Sequence, residues 1–276
     1  MPQAVFDFND QVVVVTGGSR GVGAGIVAAF LGAGASVVTC GRHEAEVEGA
    51  TFVTADVRRP EEARLVIGAA VEKFGRLDVL VNNAGGSPQV MAQAASPRFF
   101  ESVVALNLLA PFYCAQAARE AMAGQDGGGS IVNVGSVSGL RPSPGTAAYG
   151  AAKAGLINLT STLAVEWAPS VRVNCVSAGL LQTDAGDEHY GGPEGSARVA
   201  ATVPLGRMGG VEDVASACLF LASSAAAFVT GANLVVHGGG EWPAYLTALA
   251  TPGETGSGPD PHPADGSPRR RAPKTV

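Results

Sequence analysis

Seven short apolar runs alternate along the chain with longer segments of helical periodicity, and this alternation limits the possible folds more than any other feature. The runs are VVVVTGG, ASVVTC, TFVTAD, LDVLVNNAG, GSIVNVGS, VRVNCVSAG and NLVVHGG. Runs that are apolar at every position suit parallel strands that are covered on both faces. The chain therefore predicts an α/β fold, a doubly wound and mostly parallel seven-stranded sheet with helices on both faces.

The helices can be placed between these strands from their apolar spacing and their end signals. Prolines stand at the first turns of two segments and glycines follow the last turns. The spacing predicts helices over 22–33, 60–74, 97–123, 146–168 and 211–223. We expect one Rossmann-fold domain over 1–250, and the Pro-rich and Gly-rich composition of 251–276 predicts a disordered tail.

Composition and charge narrow the functional classes. The net charge of −6 comes without an extended basic face, so nucleic acid and anionic membrane surfaces are poor partners. The first residues lack the pattern of a signal peptide, and no uncharged run is apolar enough to predict a membrane span. We expect a cytoplasmic protein that acts on a small molecule.

Cysteines and histidines give no sign of a metal site or a disulfide framework. The cysteines occur singly within apolar segments, which predicts buried hydrophobic side chains, and the histidines show no ligand spacing. These residues are Cys40, Cys114, Cys175, Cys218, His43, His189, His237 and His262. No metal is expected.

A glycine-rich turn, TGGSRGVG at 16–23, follows the first predicted strand. Gly17, Gly21 and Gly23 would let the backbone turn tightly, let a pyrophosphate approach, and let the next helix pack on the strand. The place of the turn at the first strand-to-helix connection favours a dinucleotide site over a merely tight turn.

Tyr149 and Lys153 stand four residues apart in AAYGAAKAG, so a helix would bring them to one face. A phenol with a pKa near 10 is a poor base at neutral pH. A nearby ammonium would favour the phenolate. The small residues around the pair would leave room for a cofactor and a neighbouring helix, although the pair alone could equally be solvated.

Together, the glycine turn, NNAG at 82–85 and Tyr-x-x-x-Lys resemble the short-chain dehydrogenase/reductase family in its short single-domain branch, from Gln11 to Gly239. The resemblance implies reversible hydride transfer between a nicotinamide and a ketone or secondary alcohol. It implies that Tyr149 moves the proton, Ser136 orients the substrate oxygen, and Lys153 binds the nicotinamide ribose. Ser138 competes with Ser136, which is preferred for its spacing to Tyr149.

The same resemblance gives Asn107 a part in a proton relay, although it could simply be a polar residue that kinks a helix. Asp56 is expected near the adenine, although it could instead cap the following helix. Ala178 replaces the proline that the family usually carries before Gly179. The implied cofactor contacts are Gly17, Ser19, Arg20, Gly21, Val22, Gly23, Arg42, Asp56, Val57, Asn83, Ala84, Gly85, Tyr149, Lys153, Gly179 and Thr183.

Two arginines indicate which dinucleotide is bound. Arg20 and Arg42 could converge on a 2′-phosphate, which predicts NADP rather than NAD. Glu44 leaves NAD open, because its distance from the glycine turn is near that of a ribose-binding acid.

The sequence leaves the substrate and the assembly less defined. Residues 180–207 take the place of the family's substrate loop and are expected to form a lid, with Leu181, His189 and Tyr190 as possible pocket residues. The resemblance implies a homotetramer, with a homodimer next. A non-catalytic NADP-binding sensor or scaffold remains an alternative, and a nucleotide-sugar epimerase or dehydratase is disfavoured by the spacing of the glycine turn.

Overall fold

The computed structural model describes residues 6–182 and 190–243, whose strands form one seven-stranded sheet. The strand order is β3-β2-β1-β4-β5-β6-β7, and every neighbouring pair is parallel. This confirms the predicted doubly wound fold. The strands are β1 Val12–Thr16, β2 Ser36–Gly41, β3 Ala50–Thr54, β4 Val79–Asn82, β5 Gly129–Ser136, β6 Val171–Ala178 and β7 Asn233–Val236.

The helices follow the predicted segments with two differences. The segment predicted as one helix over 97–123 is two helices joined by a π-helical turn, Ala105–Leu109. A helix that was not predicted lies within the expected lid, where Pro193 and Glu194 occupy its first turn. The helices are α1 Gly21–Gly32, α2 Pro60–Phe74, α3 Pro97–Val104, α4 Ala110–Met122, α5 Ala147–Trp167, α6 Gly192–Ala200 and α7 Val211–Ala222.

Successive residues of β1 pack into two different layers of the core. Val12 and Val14 join the layer that holds α2 and α4, whereas Val13 and Val15 join the layer that holds α1 and α7. All four side chains are buried. This explains why the strand is apolar at every position, since helices cover both faces of the sheet.

The cysteines behave as buried apolar side chains. Cys40, Cys114, Cys175 and Cys218 are all free and buried. Desolvation raises the pKa of Cys40 to about 11 and that of Cys218 to about 12. The thiols therefore stay protonated near neutral pH, which confirms the packing role predicted for them.

The segment 97–122 is more apolar than the sequence reading allowed. By length and composition alone it could cross a membrane, since an 18-residue window within it has a mean hydropathy of 1.2. The same criterion is met by core helices of soluble proteins, and here α4 packs on α2 while α3 packs on α5. Only 33% of that window is buried, so packing within this chain accounts for part of its apolar composition.

The turn between β1 and α1 leaves little room for side chains. Gly17 has a φ of +69°, in the left-handed region that favours glycine. A Cβ on Gly18 would lie 2.3 Å from the Thr39 hydroxyl, and one on Gly23 would lie 2.1 Å from the carbonyl oxygen of Gly17. The first turn of α1 therefore packs directly on the glycine backbone.

Replacing Gly23 with alanine should destabilise the protein, because the new methyl group meets a backbone carbonyl that cannot simply rotate away. We expect Gly23→Ala to lower the free energy of unfolding by about 1–3 kcal/mol. The matched control is Gly68→Ala in α2, where a Cβ would meet nothing within 4 Å, and there alanine should add about 0.5–1 kcal/mol. Urea unfolding followed by circular dichroism measures both changes, and equal stabilities would contradict the packing at Gly23.

Candidate active site

The predicted site residues within the described part of the chain lie along the carboxyl ends of the parallel strands. Ser136 is the last residue of β5, and Gly179 directly follows β6. Tyr149 and Lys153 lie in the first two turns of α5, beside this edge. Open α/β sheets bind ligands at this edge. Thr183 and His189, like the predicted tail, lie outside the described residues.

The tyrosine and serine side chains lie near each other. The Ser136 hydroxyl lies close enough to the Tyr149 phenol to lower its pKa. The competing Ser138 instead accepts a hydrogen bond of 3.1 Å from the Ser143 hydroxyl, while its backbone N–H donates to Ser136 Oγ at 3.2 Å. The geometry therefore favours Ser136 over Ser138 as the partner of the phenol.

Lys153 is buried beside the tyrosine. Its side chain is 3% exposed, and Nζ donates a hydrogen bond of 2.7 Å to the carbonyl oxygen of Val134 in β5. Nζ lies 5.6 Å from the centre of the Tyr149 ring. Burial lowers the pKa of this amine to about 8.

The pKa of the Tyr149 phenol is higher in the protein than the sequence analysis predicted. Burial raises the pKa of Tyr149, and the nearby Ser136 hydroxyl opposes this shift only in part. Lys153 was expected to lower the pKa of Tyr149, but the groups of the protein by themselves do not bring that pKa below its ordinary value. The reason is desolvation, which penalises both the phenolate and the ammonium.

Asn107 lies in the π-helical turn between α3 and α4 and is fully buried. Its Oδ1 accepts a hydrogen bond of 2.9 Å from Gly86 N, and its Nδ2 donates to the carbonyl oxygens of Gly86 and Val103 at 2.9 Å each. Pro111 has no N–H for an α-helical bond to the Asn107 carbonyl, which favours the wider turn. Asn107 thus both accompanies a helix irregularity and fixes the loop after β4.

Small residues bring these groups close together. A Cβ on Gly85 would lie 2.7 Å from Asn107 Oδ1 and 3.4 Å from Lys153 Nζ. A Cβ on Gly155 would lie 3.1 Å from Leu108 Cδ2, so glycine lets α5 approach the turn that carries Asn107. This confirms the prediction that small residues around Tyr149 and Lys153 leave room for a neighbouring helical segment.

The start of α1 fits a nicotinamide dinucleotide. Gly21 has a φ of +54°, and a Cβ there would meet nothing within 4 Å, so the surface in front of the helix is open. No acidic residue lies in the first turn, and Ser19 and Arg20 are exposed just before it. Free N–H groups at a helix N-terminus without a competing carboxylate suit a diphosphate. The partly buried Val22 contributes to the α1 layer of the core.

The predicted adenine pair has a more mixed geometry. Asp56 does not cap α2, because its carboxylate accepts a hydrogen bond of 2.8 Å from Arg58 Nε. This bond lowers the pKa of Asp56, and the charge of Arg42 acts in the same direction. Val57 is buried within the core, so a cofactor contact through its side chain is not supported.

A cleft of about 210 Å³ is lined in part by Val137, the residue that follows Ser136. The sequence reading missed most of its lining, because these residues come from three loops that are far apart in the chain. Leu180 faces the cleft, whereas Leu181, the predicted pocket residue, packs against the α1 layer of the core. The cleft is lined by Val137, Leu140, Arg141, Gly179, Leu180, His237, Gly240 and Glu241.

Metal chemistry has no ready ligands in this region. Among residues 6–182 and 190–243, no group of three or more His, Cys, Asp and Glu side chains could hold a metal ion. The polar chemistry of the described site is therefore that of a phenol, a hydroxyl, an amine and an amide.

The lowered pKa of Lys153 makes stability depend on pH in a defined direction. The folded-state pKa of about 8 lies below the ordinary value of 10.5, so the unfolded chain binds more protons between these values. The burial cost is full below about pH 8 and is relieved as the pH rises. The free energy of unfolding of Lys153→Met, minus that of the parent, should therefore fall between pH 7 and pH 10.

Urea unfolding at several pH values checks this, with Lys73→Met on exposed α2 as the control. The control difference should stay level across the range. A Lys153→Met difference that stays equally level would show that the amine is not desolvated.

Comparisons with known proteins agree with this geometry. A family model described as enoyl-(acyl carrier protein) reductase matches residues 17–241. An uncharacterized oxidoreductase of Mycobacterium tuberculosis is 36% identical over 250 residues, covering 87% of this chain and 95% of the relative. L-fucose dehydrogenase of Bos taurus is 37% identical over 244 residues, covering 84% of this chain and 89% of the relative.

A solved structure gives the same result. Aldohexose dehydrogenase of Thermoplasma acidophilum superposes with a TM-score of 0.81 at 30% identity, covering 86% of this chain and 96% of that chain. The family match spans the glycine turn, the Ser136–Tyr149 pair and the cleft. Several relatives of this chain are named as dehydrogenases of alcohols. The chain therefore belongs to the short-chain dehydrogenase/reductase family, an oxidoreductase family that binds NAD(P).

Proposed function

We propose that the protein is an NADP(H)-preferring oxidoreductase that interconverts a secondary alcohol and a ketone. The observation that carries this proposal is the placement of the Tyr149 phenol near the Ser136 hydroxyl and the buried Lys153 amine. A phenol and a hydroxyl so placed suit the binding of one substrate oxygen at the carboxyl end of β5.

The roles of the side chains follow from their placement. The nicotinamide supplies or accepts the hydride when it is bound. Tyr149 Oη donates a proton to the substrate oxygen during reduction and takes it back during oxidation. Ser136 holds that oxygen next to the phenol. Lys153 donates to the Val134 carbonyl and its Nζ lies beside Gly85, and we assign its amine to the nicotinamide ribose.

The preference for NADP rests on exposed guanidinium groups near the adenosine end of the edge. Arg20 precedes α1 and Arg42 follows β2, and both are exposed. Glu44 lies beyond Gly41, the last residue of β2, and is also exposed. A 2′-phosphate could accept charge-assisted hydrogen bonds from both arginines, whereas Glu44 is less directly placed to accept from a ribose.

We also propose that the protein is cytoplasmic and that it assembles as a homotetramer or homodimer. Exposed apolar side chains support an assembly: Phe228 precedes β7, Leu234 lies within it, and Val165 is 81% exposed on α5. Such side chains gain most from burial against another copy.

Substitution of the phenol should separate an enzyme from a cofactor-binding sensor. We expect Tyr149→Phe to lower kcat/KM by about 10²–10⁴-fold, because no other group replaces the proton donor, while cofactor affinity stays within a small factor. The measurement is NADPH oxidation with a panel of ketones and alcohol oxidation with NADP⁺. Tyr113→Phe, a partly buried tyrosine of α4, is the matched control.

Variants of Ser136 and Ser138 test whether the Ser136 hydroxyl takes part in the reaction. Ser136→Ala should lower kcat/KM strongly, whereas Ser138→Ala should change it little. Cofactor binding without turnover by the parent would instead support a sensor or scaffold.

Removal of Arg42 should weaken one cofactor selectively. We expect Arg42→Ala to raise the Kd for NADPH roughly tenfold, since a charge-assisted hydrogen bond is lost, and to leave the Kd for NADH nearly unchanged. Fluorescence titration measures both constants, with Arg98→Ala on exposed α3 as the control. An equal effect on the two cofactors would contradict the assigned role of the arginine.

A further inference from the structure

The cleft that Val137 lines also contains an ion pair that the catalytic roles do not use. Arg141, in the loop after β5, pairs with Glu241, in the segment after β7. Their side chains are 38% and 32% exposed, so both remain accessible to a ligand in the cleft. Both residues line the cleft together with the apolar side chains of Val137, Leu140 and Leu180.

The loops that carry the pair are held in place by backbone contacts. Leu205 N donates a hydrogen bond of 3.0 Å to the Gly238 carbonyl, and Trp242 N donates one of 3.1 Å to the Thr202 carbonyl. These bonds attach the segment that carries Glu241 to the chain that follows α6. Arg141 also donates to the Pro142 carbonyl at 3.1 Å. The two charged groups are therefore positioned before a ligand arrives.

The charge of the pair indicates what kind of substrate suits it. The guanidinium is already neutralised by Glu241, so an anionic substrate group would have to approach or displace a carboxylate. A neutral molecule with several hydroxyl groups meets no such repulsion. Its hydroxyls can donate to the Glu241 carboxylate and accept from the Arg141 guanidinium, which lie side by side.

Tyr190 adds a third polar group from the lid. Its pKa is raised mainly by burial, and the charges of Arg141 and Glu241 act on it in opposite directions. The phenol therefore lies in the electrostatic field of the pair. Side chains from three separate parts of the chain therefore lie near one another: Arg141, Glu241 and Tyr190.

We propose that Arg141 and Glu241 are the specificity residues of the site, and that they select a neutral polyhydroxylated substrate by binding hydroxyls remote from the reacting carbon. This inference rests on the proposed function. The pair takes no part in proton transfer: it binds the hydroxyl groups that a simple alcohol lacks.

Four-carbon alcohols provide a matched test. The panel contains 2-butanol, the tetritols erythritol, D-threitol and L-threitol, and 3-hydroxybutyrate as the anion. The variants are Arg141→Met and Glu241→Gln. The control pair is Arg64→Met and Glu120→Gln, an exposed ion pair of 3.4 Å between α2 and α4. Unfolding midpoints of all variants show whether the fold is kept.

We expect the parent to prefer at least one tetritol to both other compounds in kcat/KM. Each cleft variant should lower kcat/KM for that tetritol by roughly tenfold or more, because a site built to bind a hydroxyl loses discrimination when its partner is removed. The value for 2-butanol should change by less than about threefold, and the control variants should change neither value. Equal losses for tetritol and 2-butanol, or a preference for 3-hydroxybutyrate that Arg141→Met removes, would overturn the assignment.

Saturation-transfer NMR with the tetritols separates this inference from the proposed function. Tetritol binding that Arg141→Met abolishes, without turnover of any alcohol, would leave the specificity site standing and refute the oxidoreductase. Turnover of 2-butanol without any tetritol binding would do the reverse.

Discussion

The hydrogen bonds between Thr16 and Asn83 hold together the two strand ends on which the site is built. Thr16 Oγ1 accepts from the backbone N–H groups of Asn83 and Ala84 at 3.0 Å each, and Asn83 Nδ2 donates to the carbonyl oxygens of Thr16 and Gly17 at 2.9 and 3.1 Å. β1 and β4 are adjacent, and the order of the strands reverses between them. These bonds fix the glycine turn against the loop that reaches Gly85. The glycine turn and the proton-transfer groups are therefore held in a fixed position relative to each other.

Burial shifts the pKa values of Tyr149 and Lys153 in opposite directions, and both shifts favour the uncharged form of the side chain. It raises the pKa of Tyr149 and lowers that of Lys153, so the protein by itself holds the proton on the phenol and weakens the charge on the amine. A positive charge placed beside the phenol would shift its pKa downward again. A positive charge beside Tyr149 therefore raises the fraction of phenolate that can accept a proton, and this links proton removal to occupancy by an oxidised nicotinamide.

The sequence predicted the sheet because burial on both faces leaves an unbroken apolar signal, as the four valines of β1 show. It did not predict the π-helical turn, because apolar periodicity continues through it and only Pro111 marks the change. It also missed the cleft, since residues such as Arg141 and Glu241 meet only after three loops fold over the strand ends. The sequence analysis named Leu181 as a possible pocket residue, whereas Leu180 lines the cleft, because sequence spacing does not fix which way a side chain of an extended segment points.

The division between rigid and variable parts explains why chemistry was easier to infer than specificity. Ser136 ends a central strand and Lys153 is hydrogen-bonded to β5, so these groups cannot move without disturbing the sheet. The cleft is built by loops after β5, β6 and β7, whose exposed side chains can change without loss of the core. An ion pair carried by these loops can therefore alter which alcohol is held while leaving the reaction itself intact.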